Sequence, residues 1–109
     1  MDFQELNQKA LQIRKKYILL EKKDFGRSWT KVQIMQGLVT DIGELMELIM
    51  TKEGLKNKDR VDERLAHELV DCLWSILVLA DEYGVKLEDA FRQNMDQLES
   101  KLDRNLASK

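Results

Sequence analysis

Five carboxylates in this sequence are spaced as metal ligands would be. Asp41, Glu44 and Glu47 stand three apart, and about twenty-five residues later His67-Glu68-Leu-Val-Asp71 sets Glu68 and Asp71 three apart. On a helix, residues three apart are neighbours on one face. Two such faces brought together would crowd four or five negative charges into a small volume, and a divalent cation is the natural counter-charge. Asp71 is the sharpest case, the only charge in an otherwise apolar run from Leu69 to Ala80. A carboxylate carried into a core must be paired, protonated or metal-bound. His67 and Arg64 are the basic neighbours that could pair it instead.

The donor set decides the metal. All donors are hard oxygens, which favours Mg²⁺, with Mn²⁺ as the other candidate, over zinc. The lone cysteine, Cys72, excludes an internal disulfide and a cysteine zinc site, and its apolar surroundings mark it as a small core residue. A ferritin-like di-iron site needs Glu-x-x-His on two helices. The single histidine, His67, adjoins Glu68 at the wrong spacing, which leaves it a surface or supporting role. Magnesium held by carboxylates keeps positions open for water and phosphate oxygens. No glycine-rich phosphate loop is present, so phosphate binding would rest on the metal with lysine and arginine.

These residues need helices to position them. The chain has 109 residues, 43% apolar and 35% charged, with no proline and five glycines. One all-α domain spanning residues 1–109, a four- to five-helix bundle with short links, fits that composition. Phe3, Leu6, Ala10, Ile13, Tyr17 and Leu20 mark a first helix from about Asp2 to Lys23. A second is expected from about Trp29 to Lys52, capped by Ser28, with Met35, Leu38, Ile42, Leu45 and Ile49 inward and Gly54 at its C-terminal cap. Gly37 and Gly43 inside it are either tolerated or permit close approach of a helix or ligand. After a polar connection, Leu55 to Asp59, a third helix is expected from Asp59 or Val61 to just before Gly84. Its stripe is Leu65, Leu69, Cys72, Ile76, Leu79 and Tyr83, and its apolar middle makes it the central, most buried helix. The fourth runs from Leu87 to about Arg104 with Leu87, Phe91, Leu98 and Leu102 inward.

At about 100° per residue, Asp41 and Glu44 fall on one flank of the second helix. Glu68 and Asp71 take matching places on the third, while Glu47 points further out.

Net charge is −2, from 18 basic and 20 acidic residues, which gives no sign of a nucleic-acid polymer as partner. Arg14-Lys15-Lys16 and Lys22-Lys23 are a solvated helix face or a landing site for phosphates. The first residues show no basic stretch followed by an apolar one, and the longest uncharged run, Cys72–Ala80, is too short for a bilayer. A cytoplasmic protein without a membrane partner is expected.

Read together, these motifs resemble the Glu-x-x-Glu…Glu-x-x-Asp signature of the MazG-like all-α nucleoside triphosphate pyrophosphohydrolases. Ile42-Gly43-Glu44-Leu45-Met46-Glu47 is similar to that family's "EVGELxE", and Glu68-Leu69-Val70-Asp71-Cys72-Leu73-Trp74 to its "EELxDVLxY". Leu79-Ala80 with Tyr83-Gly84-Val85-Lys86-Leu87-Glu88-Asp89-Ala90-Phe91 resembles its entry into the last helix. The resemblance covers about Trp29 to Leu102. It implies a helical bundle that forms dimers or tetramers, and Mg²⁺-dependent hydrolysis of a nucleoside triphosphate to the monophosphate and pyrophosphate, as in house-cleaning enzymes. By position it makes Asp41, Glu44, Glu68 and Asp71 the metal ligands and Glu47 an extra ligand or the group that orients water. Trp29 stands where relatives place an aromatic against the base; it could equally close the core.

The sequence departs from the family in three places. Aspartate replaces the usual first glutamate at Asp41. The His-Pro-Arg stretch of the dCTP-cleaving relatives is missing. Asn94 stands where lysine is common, leaving Lys101 or Arg104 to meet the substrate. The rival readings are a catalytically idle oligomeric module and hydrolysis of a phosphoribosyl-nucleotide. A dimer is also expected because the third helix has more apolar surface than four helices readily hide.

Overall fold

The computed structural model describes residues 1–54 and 60–108. Its helices are α1 (Phe3–Phe25), α2 (Lys31–Lys52), α3 (Val61–Glu82) and α4 (Leu87–Ala107), with no strand among the described residues. The all-α expectation holds. The connection Leu55–Asp59, and with it the earlier start expected for the third helix, lies outside the described residues.

The ends of α1 and the start of α2 have a chemical reason. Asp2 accepts a hydrogen bond from the Glu5 N–H at 2.9 Å and opens α1. Gly26, at φ +77°, closes it by donating to the Lys22 carbonyl, so α1 runs to Phe25 rather than Lys23. The second helix starts later than expected. Thr30, not Ser28, is its cap, and the helix begins at Lys31. The Gln33 N–H donates to Thr30 Oγ1 at 3.2 Å, and the Thr30 N–H donates to Gln33 Oε1 at 2.9 Å. Three residues after Ser28 stands Lys31, which has no acceptor to return that second bond. Beyond the far end of α2, Gly54 takes φ +80°, as a residue just past a helix often must. The fourth helix continues past Arg104 to Ala107.

Helices α2 and α3 form the main packing pair, and α1 lies against α3. The interior comprises Ile34, Leu38 and Leu48 from α2, Cys72, Leu77 and Val78 from α3, and Ala10 from α1. Trp74 joins α1 to α3: its indole N–H donates to the Ala10 carbonyl at 3.1 Å and its ring meets Tyr17 edge-on at 5.6 Å.

The expected inward stripes are partly overturned. On α2 only Leu38 is buried and Leu45 half-buried, while Met35, Ile42 and Ile49 are exposed. The reason is that α2 carries two apolar stripes. Ile34, Leu38, Leu45 and Leu48 face α3. Val32, Met35, Val39, Ile42, Met46 and Ile49, alternating three and four apart, form a second row that is exposed among the described residues. A single stripe fitted to both falls between them. Similarly, α3 buries Cys72 but exposes Leu69, Ile76 and Tyr83, along with Val70 and Leu73. It is central, touching both α1 and α2, yet it carries a row of exposed apolar residues.

The fourth helix differs most from expectation. Phe91, Leu98 and Leu102 are exposed, and α4 buries no residue; only Leu87 and Ala90 in its first turn are half-buried. The radius of gyration is 17.8 Å, against about 13 Å for a compact chain of this length.

Candidate metal centre and adjoining cleft

The α2–α3 seam brings the two acidic motifs together. On α2 the inward row is Ile34, Leu38, Asp41, Leu45 and Leu48, and on α3 it is Leu65, Glu68, Cys72, Ser75 and Leu79. Asp41 and Glu68 therefore stand within the seam itself, each half-buried where an aliphatic side chain would ordinarily pack. Glu44, one turn on and exposed, closes over them. Oxygens of Asp41, Glu44 and Glu68 all lie within 4.8 Å of one another, an arrangement that could hold a metal ion.

Proximity and burial perturb these acids. Glu68 is pushed up to about 7, by burial first, then by a hydrogen bond with Glu44 and the charges of Glu44, Asp41 and Asp71. Asp41 is raised by burial and by Asp71 and Glu44, with His67 opposing. Burial also raises the Cys72 thiol, reinforced by Asp41, Glu68 and Asp71. Glu68 Oε2 is buried without a hydrogen-bond partner among the described residues. A buried orphan oxygen and mutually repelling carboxylates are what a bound cation would relieve. Hard donors alone form the set, so the residues fit Mg²⁺ or Mn²⁺.

Two acids of the expected set lie outside this trio. Asp71 is not the lone buried carboxylate its sequence context suggests. It is half-buried, and its Oδ2 lies 3.2 Å from His67 Nε2, one turn back on α3. Glu47 is exposed, a further turn along α2.

A cleft of about 630 Å³ opens beside the trio, and Asp41 and Asp71 line it together with Tyr17, Phe25, Trp29 and Trp74. Carboxylates thus meet an aromatic wall. Gly37 also lines this cleft, and a Cβ there would meet nothing within 4 Å; the same holds at Gly43. No helix approaches either glycine closely. Asn94, Lys101 and Arg104 are exposed on α4 and do not line the cleft. Asn94 Nδ2 donates back to the Ala90 carbonyl at 2.8 Å.

Sequence reading missed Arg14 and Glu21. Arg14, expected with Lys15 and Lys16 on a solvated face or phosphate landing site, is 5% exposed, while Lys15 and Lys16 are exposed. Its Nη1 lies 2.8 Å from Glu21 Oε2, and both residues line the cleft. A usable signal existed: Ala10, Arg14, Tyr17 and Glu21 have helical spacing and put opposite charges on one face.

The model of one protein family, the MazG nucleotide pyrophosphohydrolase domain, matches residues 30–104. The chain belongs to this family. No curated protein and no solved structure matches it. The MazG match spans α2, α3 and most of α4, and so contains all five acids of the two motifs. It begins one residue after Trp29 and excludes α1 with Arg14 and Glu21. Among the described residues, no helix of this MazG protein is long and apolar enough to cross a membrane.

Proposed function

We propose that this MazG-family chain is a divalent-metal-dependent pyrophosphohydrolase that converts a (deoxy)nucleoside triphosphate to the monophosphate and pyrophosphate in a house-cleaning role. One observation carries the reading: in a chain of this family, Asp41 of the acidic trio lines, together with Asp71, a cleft walled by aromatic rings. Such a cleft suits a base at one end and a metal-bound polyphosphate at the other.

Asp41, Glu44 and Glu68 would hold Mg²⁺, and Asp71, freed from His67, would join them. A bound divalent ion supplies charge neutralisation at the phosphates and lowers the pKa of coordinated water. Trp29, with Tyr17 and Phe25, receives the base by stacking, and their bulk keeps water from that end of the cleft. Glu47, beside the trio on α2, orients the attacking water. Asn94, Lys101 and Arg104 reach a substrate only when a second copy presents its α4, so their role belongs to an oligomer. The uncovered stripe of α2, the open side of α3 and the unburied face of α4 support a homodimer or homotetramer.

Incubation of the purified protein with Mg²⁺ and a panel of common and modified triphosphates tests the reading. Pyrophosphate release from at least one member is expected; none from any would refute it. The His67–Asp71 pair favours a second reading, an idle MazG-like module, because it withholds an acid from the trio. Calorimetry separates the two, since an idle module would take up no Mg²⁺ or Mn²⁺ at millimolar concentration.

A further inference from the structure

We propose that the buried Arg14–Glu21 pair is a positioning device for Trp29, fixing the aromatic wall of the cleft before any ligand arrives. The consequence for nucleotide affinity rests on the proposed function; the positioning itself does not.

The geometry is a closed ring. Arg14 and Glu21 stand two turns apart on one face of α1, their side chains 6% and 9% exposed. Beyond the link between them, Glu21 Oε1 accepts the Trp29 N–H at 2.7 Å, and Arg14 Nη2 donates to the Trp29 carbonyl at 3.2 Å. Both backbone polar groups of one residue are thus held by an ion pair from another element. Trp29 needs this restraint. It lies between the end of α1 and the start of α2, and it is 49% exposed, so its own burial cannot fix it. The residue after it, Thr30, is fixed by the capping box of α2. Backbone on both sides of the indole's attachment point is therefore pinned while the ring stays open to the cleft.

Stability alone does not account for the pair. Burying an arginine and a carboxylate costs desolvation energy that their attraction roughly returns, and apolar substitutes of similar volume often do as well. Here the cost is higher still, because Arg14 Nε is buried without a hydrogen-bond partner among the described residues. What apolar side chains could not supply is a donor and an acceptor aimed at one peptide segment. An aromatic surface already in place spares a ligand the entropy of ordering it.

The test uses the full chain labelled with 5-fluorotryptophan, whose two tryptophans, Trp29 and Trp74, give separate ¹⁹F resonances assigned with Trp29→Phe. In Arg14→Met/Glu21→Leu, the far-ultraviolet spectrum and the Trp74 resonance are expected to persist. The Trp29 resonance is expected to broaden or split. Deoxynucleoside monophosphates, titrated singly without metal, should bind the double variant about tenfold more weakly than the parent, as loss of preorganisation predicts. A folded double variant with an unchanged Trp29 resonance overturns the proposal; unchanged affinity where the resonance has broadened overturns its consequence for nucleotide affinity. If the double variant does not fold, Arg14→Lys decides. It keeps a charge for Glu21 but lacks the fork that also reaches the Trp29 carbonyl. A Trp29 resonance as sharp as the parent's would then overturn the proposal. A parent that binds no monophosphate counts against the nucleotide reading alone, because the fluorine result stands without it.

Discussion

Asp41 and Glu68 occupy seam positions that leucine or isoleucine would ordinarily fill, and their chemistry follows from that placement. Glu68 is the clearer case, with its pKa raised from 4.5 to about 7 in the folded chain. A carboxyl whose folded pKa exceeds its unfolded value binds more protons when folded. Its contribution to stability is complete below the unfolded pKa and is lost as pH rises through 7. Metal-free protein should therefore melt at a higher temperature near about pH 5 than near about pH 8. Millimolar Mg²⁺ should restore the loss at the higher pH, since a cation replaces the proton. Thermal melts at both pH values, with and without Mg²⁺, check this. Asp71→Asn is expected to abolish pyrophosphate release while leaving the helical spectrum intact, because it keeps the volume and removes the charge; retained turnover would take Asp71 out of the metal site. The spacing of Asp41, Glu44, Glu68 and Asp71 was legible in the sequence because helical periodicity is a local rule. Which of them converge was less so. That depends on the rotation of α2 and α3 about their axes, which their second apolar stripes disguise. Arg14 was hidden for a related reason: it heads a run of three basic residues, and only its helical register with Ala10, Tyr17 and Glu21 distinguishes the one that turns inward.

The second helix begins where a reciprocal pair of hydrogen bonds can form, and that two-residue difference from a start at Trp29 has a functional side. Were Trp29 helical, its carbonyl would accept the N–H four residues on within α2 and would not be left to Arg14. Thr30→Ala removes one half of the capping box and should destabilise the fold by about 1 kcal/mol, measured by urea unfolding. Thr30→Ser, which retains the oxygen, should recover most of that loss. Helix positions were largely legible: α1, α3 and α4 start within a residue or two of expectation, and the glycines after α1 and α2 sit where left-handed backbone is required. The caps were harder because Ser28 and Thr30 have the same side-chain chemistry, and only the partner three residues on separates them.

At the scale of the molecule, the chain presents more apolar surface than a solitary bundle of this size would. The α2 stripe from Val32 to Ile49, the exposed Leu69, Leu73 and Ile76 of α3, and the Phe91–Leu102 face of α4 are all uncovered. Light scattering at micromolar concentration is expected to give at least twice the monomer mass. Val39→Asp, in the middle of the α2 stripe, should shift it towards 12.8 kDa without loss of helix. The sequence foretold the excess of apolar surface but assigned the α4 face to the chain's own core. Periodicity reveals that a helix has an apolar side, and does not reveal which copy of the chain that side meets.

The isolation of α4 also sets a clock. Its 21 residues draw almost no order from tertiary contact, which is where most of a helix's stability in a protein comes from. In dilute protein its amide hydrogens should exchange with solvent deuterium far sooner than those of α2 and α3, whose opening requires the seam to part. If a second copy covers the Phe91–Leu102 face, that exchange slows as protein concentration rises, while the rates in α2 facing α3 change least.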